Sequence, residues 1–331
     1  MQKISKSDLI LYKNLLFLTE KQMLNLMNQY LQKKYDNVIT TKDYVIAVGA
    51  IPIALVAHMD TVFKTPPSEE NTYYDAEKGV IWSSVGAGHD DRAGIFAIIK
   101  ILQSGLRPSI IFTCGEEQGG LGASALAEKY PDCPITGLKY MIELDRRGTN
   151  DCVFYDCYCP EFVDYVEKFG FCERWGSFSD ISFLMPEWNI VGVNLSVGYE
   201  DEHSYTEILN IGPLLDTIRK VKQMLQEENI PDFKYDELPA TNSAWWKHTN
   251  YFSNEQRCSK CKKPFSDYEL FPVFGIDRQS KVFCCDCMVG NVEWCDSCGE
   301  AFEIDSPANP KLCKVCAEDL CIATSKNNSE E

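Results

Sequence analysis

The chain has little of what would send a protein to a membrane, to a nucleic acid or out of the cell. No stretch approaches the roughly 20 apolar residues that cross a bilayer, which excludes a transmembrane helix. Lys3 and Lys6 precede an apolar stretch, but Asp8, Lys13 and Glu20 interrupt it and no small-residue cleavage site follows, a poor match to a signal peptide. Positive charge is scarce. With 32 Lys+Arg against 49 Asp+Glu, there is no basic surface to capture nucleic acid or an anionic membrane. No internal repeat is evident. Histidine is rare enough for position to matter, since only His58, His89, His203 and His248 occur in 331 residues. The expectation is a cytoplasmic protein with neither nucleic-acid nor membrane partners.

What is abundant is cysteine, and its placement is uneven. Half of the 16 cysteines fall in four Cys-x-x-Cys pairs, Cys258/Cys261, Cys284/Cys287, Cys295/Cys298 and Cys313/Cys316, a spacing for metal ligation rather than for secreted disulfides. The shift in composition divides the chain. Residues 1–235 alternate strand-like and helix-like segments. Residues 236–256 lack periodicity and read as a linker packing through Trp245 and Trp246. Residues 257–321 hold the cysteine pairs, and residues 322–331 form a polar tail expected to be disordered.

In the first part, residues 44–48, 53–57, 109–113, 140–144 and 190–195 are short apolar runs suited to buried strands. Residues 213–227 carry Leu214, Leu215, Ile218, Val221, Met224 and Leu225 at helical spacing, with Pro213 in the first turn. The alternation predicts a layered α/β domain.

Acidic residues and histidines cluster after these strands or in loops: His58 and Asp60, Asp90-Asp91, Glu116-Glu117, Asp145, and His203. Loops at the carboxyl ends of strands are where α/β sheets place ligand crevices. A two-metal hydrolytic site needs a bridging carboxylate, nitrogen and oxygen ligands on each ion, and a free carboxylate for the proton of an attacking water. The series supplies each part.

The segments Ala57-His-Met-Asp-Thr-Val62, Gly88-His-Asp-Asp-Arg-Ala-Gly94, Cys114-Gly-Glu-Glu-Gln-Gly119, Glu143-Leu-Asp-Arg-Arg-Gly148 and Glu202-His-Ser-Tyr-Thr-Glu207 resemble, in this order, the zinc-dependent aminopeptidase and carboxypeptidase superfamily of the M20, M28 and M42 kinds. The resemblance covers roughly the first 230 residues. It implies a three-layer fold with a mixed central sheet. His58, Asp90 and Asp145 would hold one zinc and Asp90, Glu117 and His203 the other, with Asp90 bridging. Glu116 and Asp60 would be the catalytic pair, Glu116 as general base toward a metal-bridging water and Asp60 fixing the tautomer of His58. The peptide bond after Asp90 would be cis. The interval from Asp145 to His203 is too short for an inserted lid domain, which favours the M28-like kind, and Asp180 resembles a Ser-Asp motif residue at the edge of the site. His89 is expected to be a neighbour and not a ligand. Arg146 and Arg147 could bind a substrate carboxylate or simply balance an acidic surface.

Each Cys-x-x-Cys can offer two thiolates to a tetrahedral ion, so the four pairs imply two structural zinc ions in a zinc-ribbon or LIM-like module. Sequential and cross-braced pairing both remain open, with Cys285, Cys321 and the first-part cysteines as non-ligands. Zinc would supply much of the module's folding free energy. Between Arg257 and Cys321 there are 8 Lys+Arg against 11 Asp+Glu, which disfavours nucleic acid and leaves protein binding, substrate presentation or a structural cap. The expected activity is metal-dependent hydrolysis of an amide bond, as an exopeptidase. The alternatives are an amidohydrolase acting on N-acyl amino acids or other small amides, and an inactive zinc-stabilised interaction protein.

Overall fold

The apolar runs of the first part are buried on both faces, and in a computed structural model of the protein they form the centre of one sheet. The structure describes residues 3–236, 256–265, 270–274, 280–288, 291–294 and 301–304. The chain divides into two compact units, residues 1–239 and 240–331. Trp245, Trp246, His248, the tail, Cys295, Cys298, Cys313, Cys316 and Cys321 lie outside the described residues.

In chain order the first unit contains α1 (Lys6–Leu16), α2 (Glu20–Gln32), β1 (Val38–Thr40), β2 (Tyr44–Ala47), β3 (Ile51–His58), β4 (Thr72–Asp75), β5 (Val80–Ser83) and α3 (His89–Gln103). It continues with β6 (Pro108–Thr113), α4 (Leu121–Lys129), β7 (Tyr140–Arg146), β8 (Asp151–Val153), α5 (Pro160–Glu167) and β9 (Cys172–Glu173). The last elements are α6 (Asp180–Trp188), β10 (Val191–Ser196), β11 (Tyr199–Glu200), β12 (Ile208–Asn210) and α7 (Ile211–Leu225). All five expected strands and the expected last helix are present, within two residues at each end.

The main sheet runs β1-β2-β6-β3-β7-β10-β8-β9. Its centre, β6-β3-β7-β10, is parallel, while β2 and β8 flank it antiparallel, so the sheet is mixed. Every residue of β6 and β10 is buried, which requires cover on both faces. One helical layer has α3 on β3 and β7 with α1 and α7 against it. A second has α4 packed on α6, and α6 on β3, β7 and β10.

From β3 the chain moves to β6 on one side and later to β7 on the other. This reversal leaves a crevice outside the carboxyl ends of the strands. A separate antiparallel sheet, β11-β12-β5-β4, supplies the rest of the site, because the turn between β11 and β12 carries His203. Among the described residues between Asp145 and His203 there is no additional domain: the interval is spent on β8, α5, β9, α6 and β10.

The second unit is built of short hairpins. Strands β13 (Gln256–Arg257) and β14 (Pro264–Phe265) pair, and β15 (Leu270–Phe274) pairs with β16 (Ser280–Cys284), which leads into a short helix, Cys285–Met288. Strands β17 (Val292–Trp294) and β18 (Ala301–Glu303) complete the second sheet. Its described core is Cys258, Val273, Phe283 and Cys284.

Candidate metal centre

Three neighbouring strands deliver their last residues to one level of the crevice. His58 ends β3 and pairs in register with Thr113, the end of β6. Glu116 and Glu117 follow one turn later, and Asp145 lies at the end of β7. Asp90 comes from above, at the start of α3, where Asp90 and Asp91 depart from helical geometry and their peptide bond is cis. The regular helix starts after them, and Asp91 Oδ1 accepts the N–H of Gly94 at 2.8 Å, as a capping residue does. Gly94 must lack a side chain, since a Cβ there would stand 2.1 Å from the Leu144 carbonyl oxygen.

The carboxylate of Asp90 faces both histidines. His58 Nε2 lies 2.8 Å from Asp90 Oδ1 and 3.4 Å from Asp145 Oδ1. His203 Nε2 lies 3.2 Å from Asp90 Oδ2 and 2.9 Å from Glu117 Oε2. Atoms around a tetrahedral ion at 2.0–2.2 Å stand about 3.4 Å from one another, so each histidine stands at ligand-to-ligand distance from two carboxylates. His58, Asp90 and Glu117 also offer atoms within 4.8 Å of one another.

Surrounding groups fix these side chains. His58 Nδ1 is 3.3 Å from Asp60 Oδ1, and the Asp60 carboxylate accepts the backbone N–H groups of Glu116 and Glu117 at 3.0 and 3.1 Å. One carboxylate thus orients the imidazole and the turn bearing both glutamates. Ser179 and Tyr199 donate hydroxyl hydrogen bonds to Asp145 at 2.8 and 3.0 Å. Opposite Asp145 the register of β7 and β10 shifts, a bulge that frees its backbone from the ladder. The Asn194 side chain takes both freed groups, accepting from Asp145 N–H and donating to its carbonyl, each at 2.9 Å. Glu207 accepts the N–H groups of Gly88 and Asp90 at 2.7 and 2.9 Å, holding the start of α3. Asp180 is fully buried behind the cluster, where Thr113 donates to it.

The electrostatics of the cluster call for positive charge. Burial, with Asp145, Asp180 and Asp90 nearby, pushes Glu116 up to about 10. Burial and Asp90 lift Asp145 to about 6, and burial lifts Asp180 to about 7. Glu143 is wholly buried with neither carboxylate oxygen hydrogen-bonded, and burial and Asp145 hold it well above the usual carboxylate range. Hydrogen bonds to Asp90 and Glu117 push His203 up to about 11. Buried carboxylates converging on imidazole nitrogens are costly unless a cation joins them, and this donor set fits divalent ions. His89 differs. It accepts from Tyr12 OH at 2.7 Å, faces the Ile81 carbonyl at 3.1 Å, and is pushed down to about 3 by burial, so it is a neutral structural residue.

Arg146 and Arg147 do not simply face solvent: both line the cleft of about 370 Å³ that contains Asp90, Glu116, Glu117, Asp145 and His203. Sequence reasoning did not find Tyr199, Asn194, Ser179 or Glu207 as supports. Glu207 ends the segment Glu202–Glu207 and Ser179 is the serine before Asp180, but nothing in their spacing gave them roles.

In the second unit the sulfurs of Cys258, Cys261, Cys284 and Cys287 lie within 4.8 Å of one another, the first two pairs together, which is the sequential arrangement. Cys261 and Cys284 Sγ are 3.9 Å apart, against about 3.8 Å for thiolates on a tetrahedral zinc. Although burial opposes it, the N–H groups of Cys261, Cys284 and Lys260 hold the Cys258 thiol down to about 6. The first unit's cysteines, Cys114, Cys133, Cys152, Cys157, Cys159 and Cys172, are free thiols.

Fold and site together define an α/β protein with a mixed central sheet and a histidine and carboxylate cluster at the switch point of that sheet. The sequence matches no family model and no curated protein. Solved structures do match. A tripeptidase from Staphylococcus aureus superposes with a TM-score of 0.56 at 14% identity, covering 68% of this chain and 99% of its own. An aminopeptidase from the archaeon Desulfurococcus kamchatkensis gives 0.53 at 13% identity, over 67% of this chain and 95% of its own. The aminopeptidase PepT of Bacillus cereus gives 0.51 at 15% identity, over 67% and 98%. At these identities the likeness is one of fold. Among the described residues no helix is long and apolar enough to cross a membrane.

Proposed function

We propose that the first unit is a two-zinc exopeptidase of the M20/M28/M42 kind, M28-like in having no inserted lid. The observation that carries this reading is Asp90, whose two carboxylate oxygens face different histidines, each completed by a further carboxylate. His58, Asp90 and Asp145 would hold one ion and Asp90, Glu117 and His203 the other. Such ions, zinc by the mixed nitrogen and oxygen donor set, would polarise a peptide carbonyl and make water a stronger acid. Glu116, buried in the same cleft and bound to no ion in this scheme, would be kept ionised by the ions' positive charge, take the proton of the attacking water on its carboxylate and pass it to the leaving amine. Asp60 keeps His58 and the Glu116 turn aligned for that transfer.

The names of the structural neighbours, tripeptidase and aminopeptidase, support short peptides as substrates. So does the cleft of about 370 Å³, at the small end of ligand pockets. The second unit is read as a zinc-held module serving protein binding or substrate presentation, and the six free thiols of the first unit fit a cytoplasmic location.

The test is metal analysis of the full chain joined to turnover of peptides, aminoacyl anilides and N-acetyl amino acids. Zinc beyond what the cysteines hold, with peptide cleavage, supports the reading. Cleavage of N-acetyl amino acids alone moves it to an amidohydrolase. Zinc on the cysteines only, with no turnover, overturns it.

A further inference from the structure

Arg146 stands in the cleft with hydrogen-bonding capacity left over. Its Nη2 donates to the Trp175 carbonyl at 3.2 Å, its buried Nε has no partner, and among the described residues no carboxylate forms an ion pair with it. Arg147 is different, being already paired with Glu202 at 2.9 Å. In a chain of net charge −17, with acidic side chains throughout this cleft, a guanidinium that pairs with none of them is not there to balance surface charge. The register shift between β7 and β10 explains its presence, since strict alternation would not put both Asp145 and Arg146 on the cleft.

We propose that Arg146 is a specificity-determining residue that binds a carboxylate of the peptide substrate, beside the metal cluster. A planar guanidinium with free N–H groups matches a carboxylate in fork geometry, which a neutral amide cannot reproduce. The carboxylate can be the peptide's own C-terminus, which selects short peptides, or an acidic side chain. The proposal rests on the peptidase reading above.

The experiment measures calorimetric binding of a reduced-amide tripeptide, which is not cleaved, with its C-terminus free or amidated, alongside kcat/KM for the matching cleavable peptides. Amidated peptides with Asp or Glu in place of Asn or Gln form the second arm. The wild type is expected to prefer the charged member of one arm by roughly tenfold or more. Arg146→Ala should remove that preference by weakening only the charged ligand, and Arg146→Lys should restore part of it. Preference in the first arm identifies the C-terminus, and in the second an acidic side chain. Equal binding of charged and neutral ligands by the wild type overturns the proposal, as does an equal loss for both in Arg146→Ala, the signature of a merely structural contact with the Trp175 loop. Charge-dependent binding without turnover of any peptide sinks the peptidase reading while the carboxylate site stands. Turnover without charge discrimination does the reverse.

Discussion

The two candidate metal centres are built on opposite terms. In the first unit three of the candidate ligands, His58, Asp145 and Asp90, hang from β3, β7 and the start of α3, elements anchored in an extensive core in which Ile53, Leu55, Phe96, Ile98, Ile111 and Ile142 have no exposed surface. Hydrophobic burial there suffices to hold the scaffold. In the second unit two of the candidate ligands, Cys258 and Cys284, are themselves buried beside Val273 and Phe283 in the described core. Short cysteine-rich modules of this kind commonly need a metal to offset the entropy of ordering the chain, and the same is expected of this unit. The comparison leads to an expectation: a metal would serve chemistry in the first unit, whose fold stands on its own core, and folding in the second.

The largest effect should come from removing metal altogether. Chelation of the full chain is expected to strip hydrogen-exchange protection from residues 256–265 and 280–288 while β3, β6, β7 and β10 stay protected, with all peptide cleavage lost. Loss of protection in both units together, or in neither, would break the comparison. Asp90→Ala makes the same separation genetically. It should lower kcat/KM by on the order of 10³ or more and release the first unit's ions, leaving the cysteine-bound zinc in place by metal analysis.

A smaller loss is expected when the ligands are untouched. Glu116→Gln keeps the shape of the side chain but not its capacity to take a proton, so kcat should fall roughly 10²- to 10⁴-fold with metal content unchanged. If the variant turns over peptides at the wild-type rate, Glu116 is not the base.

How much of this was legible in the sequence follows from the kind of signal each part leaves. Strands β3, β6, β7 and β10 are buried on both faces and so write continuous apolar runs. The residues of the cluster were legible because histidine is rare and two of the four stand among carboxylates near strand ends. The antiparallel sheet of β4, β5, β11 and β12 was not foreseen, because strands of two to four residues are too short to show a period. Helices α1 and α2 went unassigned, although Ser5 and Thr19 cap them in the usual way. The positioning groups were invisible for another reason: Glu207 reaches Asp90 across 117 residues, and Asn194 acts through a bulge that only pairing reveals. Likewise the cysteine spacing announced metal, but only the packing of β16 beside Cys258 joins the first pair to the second.

The mildest prediction probes whether the first centre is as preformed as its core suggests. Tyr199 is buried, and its hydroxyl donates to Asp145 Oδ1, the oxygen that also faces His58. Tyr199→Phe keeps the ring in the core and removes only the oxygen, so the fold and its thermal stability should change little. Asp145 loses one of two hydroxyl donors and keeps Ser179. Removing such a support commonly costs about 10- to 100-fold in metal affinity or activity, and with Ser179 and the Asn194 clamp retained, the lower end is expected here. The measurement is competition for zinc against a chromophoric chelator, followed on the full chain so that the cysteine-bound ion serves as an internal reference. A loss confined to the first unit's ions places Tyr199 in the support of Asp145. An unchanged affinity would mean that the backbone clamp by Asn194 alone sets the ligand, and that the centre owes its geometry to the sheet rather than to its hydroxyl neighbours.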